Sequence, residues 1–467
     1  MEINIKTIGH DRIYELENIV REVFKNVIIR FDKEVPDKVI SELVGNKVHT
    51  TLLIGGKKYQ GSFSLNNDKP YLNKMGIIIT RSFLDCYGKY KEYELPWGVL
   101  VGIRPSKKVA ELKNKYNISD IKKVLTEDFY IREDKADLMI KANDYEEYVL
   151  KDTKKEGYSL YVGIPFCPTR CYYCTFISRE CNNREIIELY LKNLIKEIRE
   201  CNYIKKAETL YIGGGTPTTL TDKELYRLFK ELDDKFNLKS LKEITVEAGR
   251  ADTITFEKMK VLKEMGVKRV SINPQTLNDK TLVNIGRNHT VEDFYNAFSD
   301  ARKAGIPIIN TDLIAGLTGE DFYDFKNSID NILKLDPENI TVHTLCYKRG
   351  AIIEKKEEKG LADRMLKYAS EKLEDYFPYY LYKQKNSLDN LENVGYTKKG
   401  CECLYNMYMM GEIQNIISFG GGGVSKFVSG KKVERIRNPK DADLYIKTID
   451  DVIRKKEAGF NGYFENN

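Results

Sequence analysis

Apolar and polar positions follow three different rhythms along the chain. From Tyr158 to about residue 348, short apolar runs alternate with longer amphipathic segments. SLYVGIP, TLYIGGG, EITVEAG, RVSINP, IPIINTDLI and ENITVHTL read as six strands, and Glu185 to Glu200, Asp222 to Lys235 and Phe256 to Met265 as helices between them. This alternation predicts parallel β/α units. Six units predict a partial (β/α)6 barrel rather than a closed eight-stranded one. Parallel barrels place chemistry at the carboxyl ends of their strands, and those ends carry Cys167, Gly213 to Thr216, Glu247, Gln275 and Asp312.

The flanking stretches differ. Residues 1–150 open with the strand EINIKTIG and a helix over Asp11 to Phe24, with Ile13, Leu16, Ile19, Val20 and Val23 near helical spacing. NVIIRF, KVHTTLLIG and YQGSFSL follow as strands, the last two joined at Gly55-Gly56, a hairpin signal. Helices are predicted over Ser119 to Phe129, with Ser119 as N-cap, and over Lys135 to Leu150, before a polar linker from Lys151 to Gly157. Beyond 348 come a charged helical run to Tyr376, then YYLYKQKN and FGGGGVSKF. The expected organisation is an amino-terminal α/β domain (1–150), the partial barrel (151–348) and a carboxyl-terminal α/β extension (349–467).

Composition narrows the function classes. The 467 residues include 76 basic and 70 acidic side chains, a net charge of +6 with no dominant block, which is no nucleic-acid footprint. No segment approaches the roughly 18 apolar residues of a membrane span, and the start MEINIKTIGHDRIYELENIV lacks a basic-then-apolar signal pattern. A cytoplasmic protein is expected. Nine cysteines (86, 167, 171, 174, 181, 201, 346, 401 and 403) are an odd number in a long chain, so reduced thiols or metal ligands fit better than a disulfide framework. Cys86, Cys181 and Cys201 read as packing or surface residues.

Three of the nine fall in YVGIPFCPTRCYYCTF, a Cys-x3-Cys-x2-Cys run directly after an apolar strand. Three thiolates on a four-iron cluster leave one iron open to chelate a small molecule, unlike the four-cysteine clusters of electron carriers. The alternatives are a structural zinc site, which ordinarily closes with four ligands, and three unrelated cysteines.

Cys167 to Cys174, followed by GGGTPT, resembles the radical S-adenosylmethionine (SAM) superfamily, and within it the oxygen-independent coproporphyrinogen III oxidase family. The match runs over about residues 155–430. The long amino-terminal extension, YVGIPFCPTRC and QKNSLDNLENVGYTKKGCECLYNMYMM resemble the HemZ-like branch. The resemblance implies a radical SAM barrel with a HemN-like carboxyl-terminal domain, and a 4Fe-4S cluster on Cys167, Cys171 and Cys174. It implies S-adenosyl-L-methionine contacts at Tyr161, Tyr173, Gly214, Gly215, Thr216, Glu247, Gln275, Arg287 and Asp312. Glycine lets backbone groups approach a ligand closely, carboxylates suit ribose hydroxyls, and the arginine fork suits a carboxylate. A flexible turn, tyrosine packing and a structural ion pair are the plain alternatives for these positions.

The implied reaction is oxidative decarboxylation of two propionates of coproporphyrinogen III to vinyl groups, giving protoporphyrinogen IX in porphyrin and haem biosynthesis. It proceeds through a 5'-deoxyadenosyl radical, with an electron donor such as flavodoxin or ferredoxin. The chain departs from the family twice. Cys174-Thr175-Phe176 lacks the fourth cysteine of many oxidases, and Tyr405-Asn406 replaces the His-Asn pair of related haem chaperones. A haem-binding chaperone and a haem-opening methyltransferase are the rival functions. His343 is assigned no role, Cys346 reads as a small neighbour of the cofactor, and Arg104, Lys107 and Lys108 read as a solvated basic turn.

Overall fold

The computed structural model describes all residues except 25–26, 32–33, 66–69, 73, 101–103, 154–156, 203–206, 348–357, 359, 385, 430–431 and 466–467. Parts of the linker at 151–157 and of the charged run after 349 lie outside the described residues. The chain divides into two compact units, 1–140 with 389–391, and 141–388 with 392–467.

The first unit is built on five strands, β1 (Glu2–Ile8), β2 (Ile28–Arg30), β3 (Lys38–Val44), β4 (Lys47–Ile54) and β5 (Lys57–Ser64), in the order β2-β1-β3-β4-β5. β1 runs parallel to both neighbours and β3-β4-β5 form an antiparallel meander. The β4–β5 turn is at Gly55-Gly56, both with positive φ, as the sequence predicts. Helix Ile13–Val23 buries Leu16, Ile19 and Val20. The helix Met75–Gly88, which the sequence pattern does not predict, buries Ile77, Ile78, Ile79, Phe83 and Leu84. Two expectations are corrected. Asn117, not Ser119, caps helix Ile118–Lys123, its Oδ1 accepting from Asp120 N–H at 2.9 Å. Lys108 is buried in helix Ser106–Lys113 and donates to Glu111 at 2.6 Å rather than lying in a solvated turn.

The second unit holds β6 (Tyr158–Ile164), β7 (Phe166–Cys167), β8 (Arg179–Glu180), β9 (Ala207–Gly214), β10 (Glu243–Glu247), β11 (Arg269–Ser271), β12 (Ile308–Ala315), β13 (Asn339–Thr344), β14 (Phe377–Lys383), β15 (Glu392–Thr397), β16 (Asn415–Phe419), β17 (Val424–Ser429) and β18 (Lys432–Arg437). β7 and β8 pair only with each other; the rest form one sheet in the order β14-β15-β13-β12-β11-β10-β9-β6-β16-β17-β18. The six predicted strands, β6 and β9 to β13, are parallel neighbours, giving the partial barrel. β16 adds a seventh parallel strand beside β6.

The intervening helices form for local reasons. Asp222–Phe236 starts at a capping box, with Thr221 and Glu224 each bonding the other's backbone, and buries Leu225, Leu228, Phe229, Leu232 and Phe236 along one face. Each of these side chains contributes about 1.5–3 kcal/mol by leaving water.

Strand residues alternate in the opposite sense. Outward positions, such as Leu160, Val162, Leu210, Ile212, Ile244 and Val246, are buried and apolar. The alternate positions are polar or small: Ser159, Tyr161 and Gly163 on β6; Thr209, Tyr211 and Gly213 on β9; Glu243, Thr245 and Glu247 on β10; Asn310 and Asp312 on β12; Thr341 and His343 on β13. Where closed barrels stack Val, Ile and Leu, this partial barrel has a polar interior.

Its amino end is sealed by a buried ion pair. Arg269 and Glu243 start β11 and β10, have side chains 3% and 6% exposed, and meet at 2.9 Å. Arg269 also donates to Asn339 Oδ1 and to the carbonyls of Cys401 and Glu402 at 2.6–3.0 Å. Glu243 accepts from Leu404 N–H at 2.8 Å and Tyr405 N–H at 3.3 Å, seating the start of helix Leu404–Gly411.

Candidate active site

At the carboxyl end of β6 the chain turns through Pro165 into the cysteine loop. β7 and β8 clasp the loop at its base, with Cys167 opposite Glu180 and Cys181 N–H bonded to Cys167 O at 2.9 Å. Inside the loop Cys174 N–H bonds Cys171 O, and Tyr172 N–H and Thr169 Oγ1 dock on the carbonyls of Ile285 and Gly286. Cys167, Cys171 and Cys174 are partly buried free thiols. Burial pushes the thiol pKa values of Cys167 and Cys174 up, which a bound metal reverses by taking the thiolate.

Thr216, Arg250 and Arg287, all outside the loop, face its sulfurs. Thr216 Oγ1 stands 3.5 Å from Cys167 Sγ, and Arg250 Nη1 stands 3.7 Å from Cys171 Sγ. Among the described residues no three or more His, Cys, Asp or Glu side chains are grouped to hold one metal ion. Three partly buried thiols on one loop, with hydrogen-bond donors facing two of them, suit the ligands of a cluster.

The glycine run lies against the loop. A Cβ on Gly215 would sit 2.5 Å from Phe166 O, and one on Gly213 would sit 2.8 Å from Glu247 Oε2. Gly214, at φ +111°, donates its N–H to the same carboxylate oxygen at 3.3 Å. The chain itself thus requires glycine at 215, where the Phe166 backbone is too close for a side chain, and favours it at 214 through the positive φ.

Glu247 and Asp312 face the barrel interior with divergent acidities. Burial raises the Glu247 pKa to about 7, opposed by a 2.6 Å hydrogen bond from Tyr211 and reinforced by the charge of Asp312. Burial also pushes Asp312 up, but His343, Asn310 and Thr341 outweigh it and hold its pKa below the usual carboxylate value. Asn310 donates to Asp312 Oδ1 at 2.7 Å, and His343 Nε2 lies 3.5 Å from Oδ2. His343 Nδ1 faces Asn393 Oδ1 at 3.2 Å and the Tyr382 hydroxyl at 3.3 Å. A carboxyl whose folded pKa is raised adds most stability below its ordinary value of 4.5, and loses it as pH climbs through about 7. Glu247→Gln is therefore expected to gain stability relative to the parent between pH 5 and pH 8. Urea melts at the two values check this, and an unchanged difference would contradict the buried acidity.

Gln275 and Arg287 carry unspent polar atoms. Gln275 has φ 69°, a strained conformation for a non-glycine residue, fixed by its N–H on Asp312 O and its carbonyl accepting from Ile314, both at 3.0 Å. Its side-chain Oε1 is buried with no partner, as is Arg287 Nε. Arg287, past helix Asp279–Asn284, gives its fork to the carbonyls of Asn273, Pro274 and Gly249. Buried unpaired groups are costly, and a ligand with an ammonium and a carboxylate would satisfy both. Tyr173 packs on the apolar group of Leu282, Ile285, Ile314, Leu317 and Leu345.

Tyr161 adjoins Glu247 through Tyr211, which donates to that carboxylate. Its ring joins a stack with Tyr211 and Tyr405, with centroids 6.3 Å and 6.2 Å away, while Tyr211 and Tyr405 lie 4.6 Å apart. Cys346 bridges to Ser387 outside the main sheet pairing. Sequence reasoning missed Tyr211, Arg250, Asn310, His343 and Tyr382. For Tyr211 and Asn310 the available signal was the run of polar residues at every second strand position.

Residues 161–332 match the family model described as the radical SAM superfamily. The chain is 34% identical, over 100% of its length and 99% of the relative's, to the oxygen-independent coproporphyrinogen-III oxidase-like protein HemZ of Bacillus subtilis. It is 31% identical to the haem chaperone HemW of Lactococcus lactis, over 60% of this chain and 72% of the relative. Among solved structures, the coproporphyrinogen III oxidase HemN from Escherichia coli aligns with TM-score 0.52 and 22% identity, over 66% of this chain and 73% of that one, a likeness of fold. With a partial barrel, a cysteine loop at the carboxyl end of its first strand and an end-to-end relative, the chain belongs to the radical SAM, oxygen-independent coproporphyrinogen-III oxidase-like family.

Proposed function

We propose that the protein oxidatively decarboxylates two propionate side chains of coproporphyrinogen III, giving protoporphyrinogen IX, in the cytoplasm. The observation that carries this reading against the chaperone is Tyr405. It stands where the chaperones have a histidine, is 6% exposed, and is stacked face to face on Tyr211 inside the barrel. Helix Leu404–Gly411 therefore offers haem no imidazole. Among the described residues no helix is long and apolar enough to cross a membrane.

Cys167, Cys171 and Cys174 are the residues to hold a 4Fe-4S cluster, with one iron left for S-adenosyl-L-methionine. Once bound, the pair would supply radical chemistry at a propionate, driven by one electron from a flavodoxin- or ferredoxin-type donor, with a separate acceptor taking the electron released on decarboxylation. The chain's own part is orientation and exclusion of water. Gln275 Oε1 and Arg287 Nε offer an acceptor to the cofactor's ammonium and a donor to its carboxylate. Asp312, kept ionised by His343 and Asn310, and Glu247, titrating near neutrality, receive hydroxyl groups. Tyr173 would offer its ring to the adenosine, and Gly214, Gly215 and Thr216 would contact the same cofactor.

Anaerobic incubation with coproporphyrinogen III, S-adenosyl-L-methionine, reductant and an electron acceptor tests the reading. Mass analysis after oxidation to porphyrins should show stepwise loss of two carboxyl groups. Tight, stoichiometric haem binding without decarboxylation under several acceptors would place the chain with the chaperones.

A further inference from the structure

We propose that Arg250 is a positioning residue for the cluster, aiming one N–H at Cys171 and raising the cluster's reduction potential. The proposal rests on reading Cys167, Cys171 and Cys174 as cluster ligands. Arg250 follows β10 by three residues, and its side chain is 3% exposed. Its fork is pinned on Asp252, with Nε to Oδ1 at 3.1 Å and Nη2 to Oδ2 at 2.8 Å. That bidentate grip fixes the guanidinium plane and turns the remaining nitrogen toward the cysteine loop. Nη1 lies 3.0 Å from Thr169 Oγ1, 3.3 Å from Thr169 O and 3.7 Å from Cys171 Sγ.

Nη1 divides its two N–H groups between Thr169 and Cys171, and among the described residues no carboxylate other than Asp252 holds the fork. His289 Nδ1 stands 3.9 Å from Asp252 Oδ1, and both its ring nitrogens are buried without hydrogen-bond partners. Burial and the nearby Arg287 and Arg250 charges bring its pKa down to about 4, so it adds no charge at neutral pH. Arg287 also reaches toward Cys171, but its fork is engaged by three carbonyls. Arg250 is thus the guanidinium whose geometry is set by a carboxylate and delivered to a thiol. Reduction adds an electron to a cluster already carrying three thiolates. A buried donor on one sulfur stabilises the reduced form more than the oxidised one, and hydrogen bonds to sulfur are among the levers that set cluster potentials.

The test is a redox titration of the full chain, reconstituted anaerobically and followed by electron paramagnetic resonance, alongside iron analysis, for the parent, Arg250→Gln and Arg250→Lys. Both variants should still load about four irons. At a poise where the parent is half reduced, Arg250→Gln should show a reduced-to-oxidised ratio at least tenfold lower, a midpoint about 59 mV more negative. Arg250→Lys, which keeps the charge but not the fork, should fall between them. Iron-loaded variants with the parent's midpoint would overturn the proposal, and so would loss of iron from both variants, which would make Arg250 a residue of the fold alone. A parent chain that loads no iron would overturn the cluster reading itself, an outcome separable from the other two.

Discussion

Cys171→Ala is expected to empty the chain of iron and end cleavage of S-adenosyl-L-methionine, and Cys167→Ala and Cys174→Ala are expected to do the same. The three thiols share one loop clasped by β7 and β8. Cys403 is buried at the barrel's amino end, 3.4 Å from Glu243 Oε1, and the Cys401 carbonyl is held there by Arg269. Cys181, at the clasp, holds Cys167 through its backbone N–H, a bond that alanine keeps. Iron and sulfide per chain should therefore fall to background in the three loop variants and stay near parent values in Cys181→Ala, Cys201→Ala, Cys401→Ala and Cys403→Ala. A requirement for any of the latter four would sink the open-iron mechanism.

The largest stability effect is expected from Arg269→Met. It would strand the Glu243 carboxylate in a buried site, along with the Cys401 and Glu402 carbonyls and Asn339 Oδ1. Breaking a buried pair from one side costs about 3–5 kcal/mol. The double variant Arg269→Met/Glu243→Gln should recover part of that loss, because the stranded charge is gone. Chemical denaturation followed by far-ultraviolet circular dichroism suits the comparison, since the single tryptophan, Trp97, belongs to the other compact unit and its fluorescence would report there. A loss below about 1 kcal/mol, the range of an exposed pair, would contradict the buried seal. Displacement of Tyr405 from its stack would accompany unfolding of the seal, because Glu243 holds the amide groups of both Leu404 and Tyr405.

What was legible in the sequence follows from which physical signals are local. The six strands of the barrel stand out because each is short and apolar on its outward face, and the first five are each followed by a helix with a side-chain cap. The cysteine loop announces itself by spacing alone. Helix Met75–Gly88 was illegible because MGIIITRSFLDCYG is apolar nearly all round and β-branched, so neither periodicity nor propensity marks it as helical. β16 was missed because NIISF is a five-residue strand whose partner, β6, is remote in sequence. Ser119 looked like a cap, yet Asn117 took the role two residues earlier, leaving Ser119 to donate to it at 2.7 Å. Arg250 and His343 could not be picked out, since one arginine in a loop and one histidine in a strand say nothing of what they face. Only the fold brings Thr169 and Cys171 to the first, and Asp312 and Asn393 to the second.

The placement of β16 also bears on how this unit assembles during synthesis. β6 leaves the ribosome first among the strands of the large sheet but pairs on one edge with residues near 415, so that edge stays open until most of the chain has been made. Pairings between distant segments slow folding, and waiting strand edges invite association between chains. Nascent chains stalled before β16 should therefore be the aggregation-prone species, while release of β16 to β18 closes the edge and commits the barrel to a single register.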